Sequence, residues 1–232
     1  MVKKIIALVP MKNHSERVAK KNIRIFNGKP LYHQILNSLL SCSFIESIII
    51  DTDSDDMIKD VNKNFENIGI IERSPELQGD FIEMNSIINH DINQTNGEYF
   101  LQTHSTNPLL NSNTIDKAIN IFFNKIDKYD SLFTVTKIQS RFYNTIGSPI
   151  NHDPKELLRT QDLPPIFEEN SNLYIFSKTS FRKAGNKRIG VKPYMYEMDK
   201  LEATDIDDMD DFILAETLMK IRNKKNEIKA KS

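Results

Sequence analysis

The sequence has a single cysteine, Cys42, among 232 residues, so neither a disulfide framework nor a zinc site built on cysteines is available. A reducing compartment is expected, and the chain reads as cytoplasmic. Charge of one sign is not in surplus: Lys and Arg total 31 against 32 Asp and Glu, for a formal net charge of −1. That balance excludes a general nucleic-acid binder or membrane-surface protein and makes any basic site local. Long apolar runs are missing as well. The stretch after Lys3 and Lys4 is only strand-length, too short for a signal-peptide core or a membrane span. No internal repeat or low-complexity linker interrupts the chain. The length suits one domain over 1–232, large enough to bury a full core.

What is present alternates. Ile5 to Val9 form a continuous apolar run closed by Pro10, as expected of a strand covered on both faces. After a long loop, Leu31, Ile35, Leu36, Leu39 and Leu40 recur at helical spacing behind Pro30. Ile45 to Ile50 read as a second strand ending at "DTDSDD", where Ser54 is placed to cap a helix. Further strands are expected at Ile68 to Ile71, Glu98 to Gln102 and Ser131 to Lys137, with helices at Phe81 to Asn93 and Ser112 to Asn124. Strand and helix in turn imply an α/β fold with crossover connections.

That pattern breaks over about 139–172, where Gly147 and four of the nine prolines fall without any sustained period; an arm-like excursion from the sheet is expected there. Leu173 to Phe176 reads as the returning strand and Asp207 to Met219 as the last amphipathic helix. The lysine-rich residues 223–232 read as a solvated, frayed tail.

Two stretches carry chemistry. The loop after the first strand, "MKNHSERVAKKNIR", concentrates Lys12, Arg17, Lys20, Lys21 and Arg24 with Asn13, Ser15 and Asn22. Ligands of open α/β sheets bind at the carboxyl ends of the strands, and this set of charges, hydroxyls and amides suits phosphate oxygens. The loop lacks the glycines of a Walker loop or a dinucleotide fingerprint. The second stretch is "LEATDIDDMDDF". In an extended segment Asp205 and Asp207 share a face, and two carboxylates without a histidine or cysteine beside them suit a hard cation such as Mg²⁺. Asp207 or Asp208 also fits the cap of the last helix. Asp53, in "DTDSDD", is close enough in sequence to a strand end to approach the same ligand.

The order of residues in the first loop, Pro10-Met11-Lys12-Asn13-His14-Ser15-Glu16-Arg17 with Lys21-Asn22-Ile23 and Gly28-Lys29-Pro30-Leu31, resembles the nucleotide-binding signature of the sugar-activating cytidylyltransferases. Within these it is most similar to the CMP-sialic acid synthetase (acylneuraminate cytidylyltransferase) family. There the loop wraps the CTP triphosphate; Lys12 stands in place of an arginine, Ser15 matches a serine and Lys21-Asn22 match a Lys-Asn pair. "IIERSPELQGD" resembles the family's Arg-Pro-x-x-Leu segment, with Arg73 toward the cytosine and Asp80 also matching. "LQTHSTNPLL" resembles the segment facing the sugar, with His104 in place of a glutamine, Gln102 two residues before it and Leu110 in place of an arginine. "LPPIFEENSN" resembles Leu-Pro-x-x-Phe-Arg-x-Asn-Gly: Phe167 and Asn170 match, Glu168 inverts a charge and Ser171 replaces glycine.

The resemblance implies a Rossmann-like, mostly parallel sheet flanked by helices, of the nucleotide-diphospho-sugar transferase type, with a protruding dimerisation arm. It implies transfer of CMP from CTP to the anomeric hydroxyl of a nonulosonic sugar acid, with release of pyrophosphate. Lys21 and Asp207 would be catalytic, Asp205 and Asp207 would hold Mg²⁺, and the chain would work as a homodimer. A 3-deoxy-manno-octulosonate cytidylyltransferase, another sugar nucleotidyltransferase and a non-catalytic nucleotide-binding module are the alternatives.

Overall fold

A computed structural model describes residues 3–231, and the side chains of residues 3–228. The chain forms β1 (Ile5–Met11), β2 (Ile25–Phe26), β3 (Lys29–Pro30), α1 (Tyr32–Leu40), β4 (Ile45–Thr52), α2 (Asp55–Asn64), β5 (Ile68–Glu72) and α3 (Met84–Asn93). It continues with β6 (Tyr99–Thr103), α4 (Ser112–Lys125), β7 (Ser131–Ile138), β8 (Ile166–Ser177), α5 (Lys178–Lys183), β9 (Pro193–Glu197) and α6 (Met209–Lys231). Seven strands make one sheet in the order β5-β4-β1-β6-β8-β7-β9. Only β8 runs antiparallel to its neighbours β6 and β7; the other pairings are parallel.

The two-residue period of β1 sets the layers. Ile5, Ala7, Val9 and Met11 pack on one face with Tyr32, Ile35, Leu36 and Leu39 of α1, with Met57 and Val61 of α2, and with Ile115, Ala118, Ile119 and Phe122 of α4. Leu8 points the other way and meets Ile88 and Ile92 of α3, Phe100, Tyr174, Phe176 and Phe181. This alternation follows from Cβ atoms leaving a strand on opposite sides, and a strand buried on both faces is why β1 carries no polar residue. Connections step from β1 outward to β4 and β5, then return to β6 on the far side of β1. The reversal opens a crevice at the carboxyl ends of β1 and β6.

A third cluster, Phe26, Leu31, Leu109, Ile206, Phe212, Ala215 and Met219, fixes α6 over that end of the sheet. Phe26 is held there by the β2–β3 hairpin, whose turn residues Asn27 and Gly28 have φ of 51° and 84°, as a two-residue Asn-Gly turn requires. Glu216 of α6 accepts the Asn27 backbone N–H at 2.9 Å, which joins the last helix to the first loop.

Several boundaries differ from expectation. α3 begins at Met84, and Phe81, expected at its start, is fully exposed. β8 begins at Ile166, seven residues before the strand expected at Leu173, because its first half is paired with β7 and has exposed or half-buried side chains that show no apolar pattern. The excursion therefore shortens to 139–165. The run expected to fray at 223–232 continues α6 to Lys231, since Lys, Asn, Glu and Ala need no packing partner to propagate an established helix; Ser232 lies outside the described residues. Among the described residues no helix is long and apolar enough to cross a membrane.

Under the sheet's binding end lies a buried acidic pair. Asp51, at the end of β4, is 0% exposed and Asp91 of α3 is 1% exposed. The Arg73 guanidinium bonds to the Asp51 carboxylate and, through Nη2, to the Asp51 carbonyl at 3.2 Å. Among the described residues that guanidinium bonds only to Asp51, the His90 ring lies 3.4 Å from the Asp91 carboxylate, and burial, reinforced by the Asp51 charge, pushes the Asp91 carboxyl from 3.8 up to about 9. A group raised in this way stabilises the fold fully at low pH and loses that contribution as pH rises through the folded value. Asp91→Asn, which keeps a donor facing Asp51 but cannot ionise, is therefore expected to gain on the natural chain as pH rises. At pH 8 its melting temperature should be higher by roughly 4 °C, as about 1–2 kcal/mol gives in a chain of this size, and the gap should close toward pH 5. A gap that is constant with pH would contradict the reading.

Candidate active site

The crevice at the carboxyl ends of β1 and β6 holds a cleft of about 290 Å³. Lys12, Ser15, Arg17, Lys21 and Asn22 line it from the first loop, Arg73, Gly79 and Asp80 from the segment after β5, and His104, Ser105 and Thr106 from the loop after β6. Three strand ends thus converge on one concavity, and eight of the residues singled out in the sequence (Lys12, Ser15, Arg17, Lys21, Asn22, Arg73, Asp80 and His104) meet there.

The first loop holds its shape by bonding across the sheet. Asn22 donates to the Lys12 carbonyl at 2.8 Å and accepts the Ser105 hydroxyl at 2.6 Å. The backbone N–H of Asn13 donates to Asp53 at 2.6 Å, so Asn13 and Asp53 brace the loop against the end of β4 and do not line the cleft. Lys20, at φ 52°, turns the chain through the left-handed region into a short 3-10 turn at Lys21–Ile23. Lys12 pairs with Asp80 at 2.5 Å, and that ammonium holds the Asp80 carboxyl below its ordinary range.

The late aspartates come to this loop from 190 positions away. Arg17 Nη2 donates to Asp207 Oδ1 at 2.6 Å, and Lys21 Nζ donates to the carbonyl of Ile206, the residue between the two aspartates, at 2.6 Å. Ile206 is fully buried in the third apolar cluster. Its backbone N–H donates to the Thr106 carbonyl at 3.0 Å, which makes the segment a neighbour of the loop after β6. With Ile206 turned inward, Asp205 and Asp207 both face away from that cluster. The helix cap is supplied by Asp208, whose Oδ1 accepts the backbone N–H groups of Asp210 at 2.9 Å and Asp211 at 3.0 Å. Capping therefore consumes neither Asp205 nor Asp207.

Electrostatics tie these groups together. Burial lowers the Lys21 ammonium from its ordinary value, opposed by the charges of Asp205 and Asp207. Burial raises the Asp205 carboxyl, and the Asp207 charge adds to the rise. Two carboxylates on one short segment, one of them raised by burial, make a place that favours an added positive charge. Asn107 Nδ2 lies 3.4 Å from Asp205 Oδ1, so the donor set is oxygen with an amide beside it. Such a set fits a hard divalent cation held partly by water and substrate phosphate.

The remaining candidates lie around the cleft. Gln102, 0% exposed, sits behind His104, its Nε2 at 3.1 Å from His104 Nε2. Burial, aided by the charges of Arg188 and Lys21, lowers His104 to about 4, so it is a neutral imidazole at neutral pH. Asn170 is not at the cleft: it donates to the Thr136 hydroxyl at 3.0 Å and shapes the irregularity between β7 and β8. There Ser171 takes φ 55°, the conformation that accounts for a glycine in the similar segment of the resemblance. Arg73 lines the cleft while anchored to Asp51. Sequence reasoning missed Ser105 and Thr106 on the wall of the cleft, and it missed Arg188 entirely; nothing in "NKRIGV" marks an arginine that reaches Gln102.

A mostly parallel sheet with a basic loop at its switch point and a carboxylate pair beside it has the architecture of nucleotide-binding α/β proteins. The sequence profile described as "Cytidylyltransferase" matches residues 6–228, and the chain belongs to that family. It is 23% identical over 223 residues to an N-acylneuraminate cytidylyltransferase of Streptococcus agalactiae serotype V, covering 90% of this chain and 52% of that protein. The chain thus spans about half the length of the first curated relatives it matches. It is 24% identical over 233 residues to a pseudaminic acid cytidylyltransferase of Campylobacter jejuni, covering 95% of this chain and 98% of the other. Among solved structures, CMP:2-keto-3-deoxy-manno-octonic acid synthetase complexed with CTP superposes with a TM-score of 0.68 at 9% identity, over 95% of this chain and all of that one. A 4-diphosphocytidyl-2C-methyl-D-erythritol synthase from Anaerococcus prevotii superposes at 0.65 with 15% identity, over 94% and 96%. These superpositions support the expected fold class.

Proposed function

We propose that this protein transfers CMP from CTP to the anomeric hydroxyl of a nonulosonic-type sugar acid. The observation that carries the reading is the meeting of the first loop with the Asp205–Asp207 segment, through Arg17 to Asp207 and Lys21 to the carbonyl between the aspartates. Family membership supports the nucleotide, and the relatives acting on N-acylneuraminate and pseudaminic acid support the acceptor class.

In the reaction the anomeric oxygen forms a bond to the α-phosphorus and gives up its proton to solvent, while the bond to the bridging oxygen of the β-phosphate breaks and pyrophosphate leaves with that electron pair. Such transfers need alignment and charge neutralisation more than a covalent catalyst. Lys12, Arg17 and Lys21 bind the triphosphate, releasing Asp80 and Asp207 from their ion pairs as the phosphates take over the cations. Ser15 and Asn22 add neutral hydrogen bonds. Lys21 keeps its ammonium against the departing pyrophosphate, and His104, neutral, contributes hydrogen bonding without charge. Asp205 and Asp207 would hold a divalent ion such as Mg²⁺, which neutralises charge developing on the transferred phosphate. The exposed apolar side chains of the excursion, among them Ile146, Ile150 and Leu157, support its use as a dimer surface, and a monomeric mass by light scattering would contradict that part.

The test is pyrophosphate release from CTP and Mg²⁺ across a panel of sugar acids including N-acetylneuraminate, pseudaminate, legionaminate and 3-deoxy-manno-octulosonate. Release with at least one is expected; folded protein silent on all would overturn the reading. CTP should also raise the melting temperature more than ATP or GTP at equal concentration, by about 2.7 kcal/mol of stabilisation at a hundredfold excess over its Kd. Stronger stabilisation by a purine nucleotide would contradict the choice of nucleotide.

A further inference from the structure

We infer that Arg188 is the side chain that holds the carboxylate of the acceptor, an assignment that rests on the sugar-acid reading above. Arg188 lies on the loop between α5 and β9 and stacks its guanidinium 3.8 Å above the Tyr174 ring. Its Nη1 donates to Gln102 Oε1 at 2.7 Å. Among the described residues it forms no ion pair. Glu169, whose charge acts on it, is occupied by the Tyr174 hydroxyl.

A guanidinium has five donors in a fixed plane. Here one face is covered by an aromatic ring, one donor is satisfied by a neutral amide, and the one carboxylate whose charge reaches it, Glu169, makes no direct ion pair with it and accepts the Tyr174 hydroxyl instead. Removing a cation from water without a counter-ion is costly, and the arrangement is accounted for if an anion arrives with the substrate. The loop is also rigid: the Ser131 hydroxyl donates to the Ile189 carbonyl, Asp130 accepts the backbone N–H groups of Val191 at 3.0 Å and Lys192 at 2.9 Å, and Asn85 accepts that of Arg188 at 3.3 Å. A planar fork held in this way is preorganised for bidentate carboxylate binding.

Position fits the chemistry. In a cyclised 2-keto sugar acid the anomeric carbon bears both the nucleophilic hydroxyl and the carboxylate, so the carboxylate site must adjoin the place where the hydroxyl meets the α-phosphate. Arg188 connects through Gln102 to His104, and His104 lines the cleft with Lys21.

The test compares the natural protein with Arg188→Gln and Arg188→Lys, using the sugar acid that gives the fastest pyrophosphate release and the same sugar with its carboxylate reduced to the alcohol. For Arg188→Gln the acceptor KM should rise about a hundredfold, the scale of losing one partner of a charged contact, while kcat changes by severalfold at most. Arg188→Lys should recover part of the loss. The KM for CTP and the thermal shift produced by CTP should be unchanged in both variants, which shows that the fold and nucleotide site survive. The natural protein should prefer the acid strongly over the alcohol, and Arg188→Gln should not. An unchanged acceptor KM in Arg188→Gln, a retained preference for the acid, or a loss of CTP stabilisation in both variants overturns the assignment while leaving the sugar-acid reading standing. Absence of turnover by the natural protein with every sugar acid removes both.

Discussion

Asp207→Asn is expected to lower kcat with CTP, Mg²⁺ and the acceptor by roughly 10²- to 10³-fold, the range seen when one group stabilising transition-state charge is removed, while the melting temperature moves by only a few degrees. The substitution keeps size and hydrogen-bonding capacity and removes one negative charge. Because Asp208 supplies the helix cap, α6 keeps its N-terminus. Because Asp207 is half exposed and pairs with Arg17, also at the surface, the lost ion pair contributes little to stability. The remaining function of the charge is at the phosphate, and its loss should appear in kcat and in the Mg²⁺ concentration needed for half-maximal rate. Asp208→Asn is the control: it should leave the rate within severalfold. If the two variants behave alike in rate, the carboxylate of Asp207 has no special place in the reaction.

Ile206→Ala should destabilise the fold and slow the reaction together. Ile206 is fully buried among Phe26, Leu31, Leu109 and Phe212, and truncating a buried isoleucine to alanine costs about 2–5 kcal/mol through lost transfer energy and the cavity left behind. In a chain of this length that lowers the melting temperature by roughly 6–15 °C. The same substitution removes the apolar side-chain anchor between Asp205 and Asp207, leaving the backbone bonds of residue 206 to Lys21 and Thr106, so kcat should fall as well, although no charged group is touched. Ile206→Val, which removes one methylene, should cost about 0.5–1.5 kcal/mol and leave most activity. A mild effect of Ile206→Ala on both stability and rate would show that the segment is held by something other than this side chain.

The first loop and the carboxylate pair were legible because charged residues at strand ends have few structural reasons to cluster. In the structure Lys12, Lys21 and Asn22 line the cleft, and Asp205 and Asp207 flank Ile206, whose carbonyl accepts the Lys21 ammonium. Their contacts were not legible: Arg17 and Asp207 are 190 positions apart, and no local period couples them. Arg188 was invisible for the same reason, since its meaning comes from Gln102 and Tyr174 arriving from two other strands. The β2–β3 hairpin carried a readable Asn27-Gly28 turn, but strands of two residues are too short to alternate. β9 and the first half of β8 were missed because partly exposed strands mix polar and apolar side chains without a clean period. The tail was misread because a lysine-rich run without an apolar stripe gives no packing signal, yet such residues are good helix formers once α6 has been nucleated.

The most direct measurement is the anomalous diffraction of a crystal of this protein grown with CTP and Mn²⁺. The account predicts a manganese peak on the carboxylates of Asp205 and Asp207, in contact with the triphosphate, whose oxygens meet Lys12, Arg17 and Lys21. A metal bound away from those two aspartates, or a triphosphate that does not touch the first loop, would contradict it.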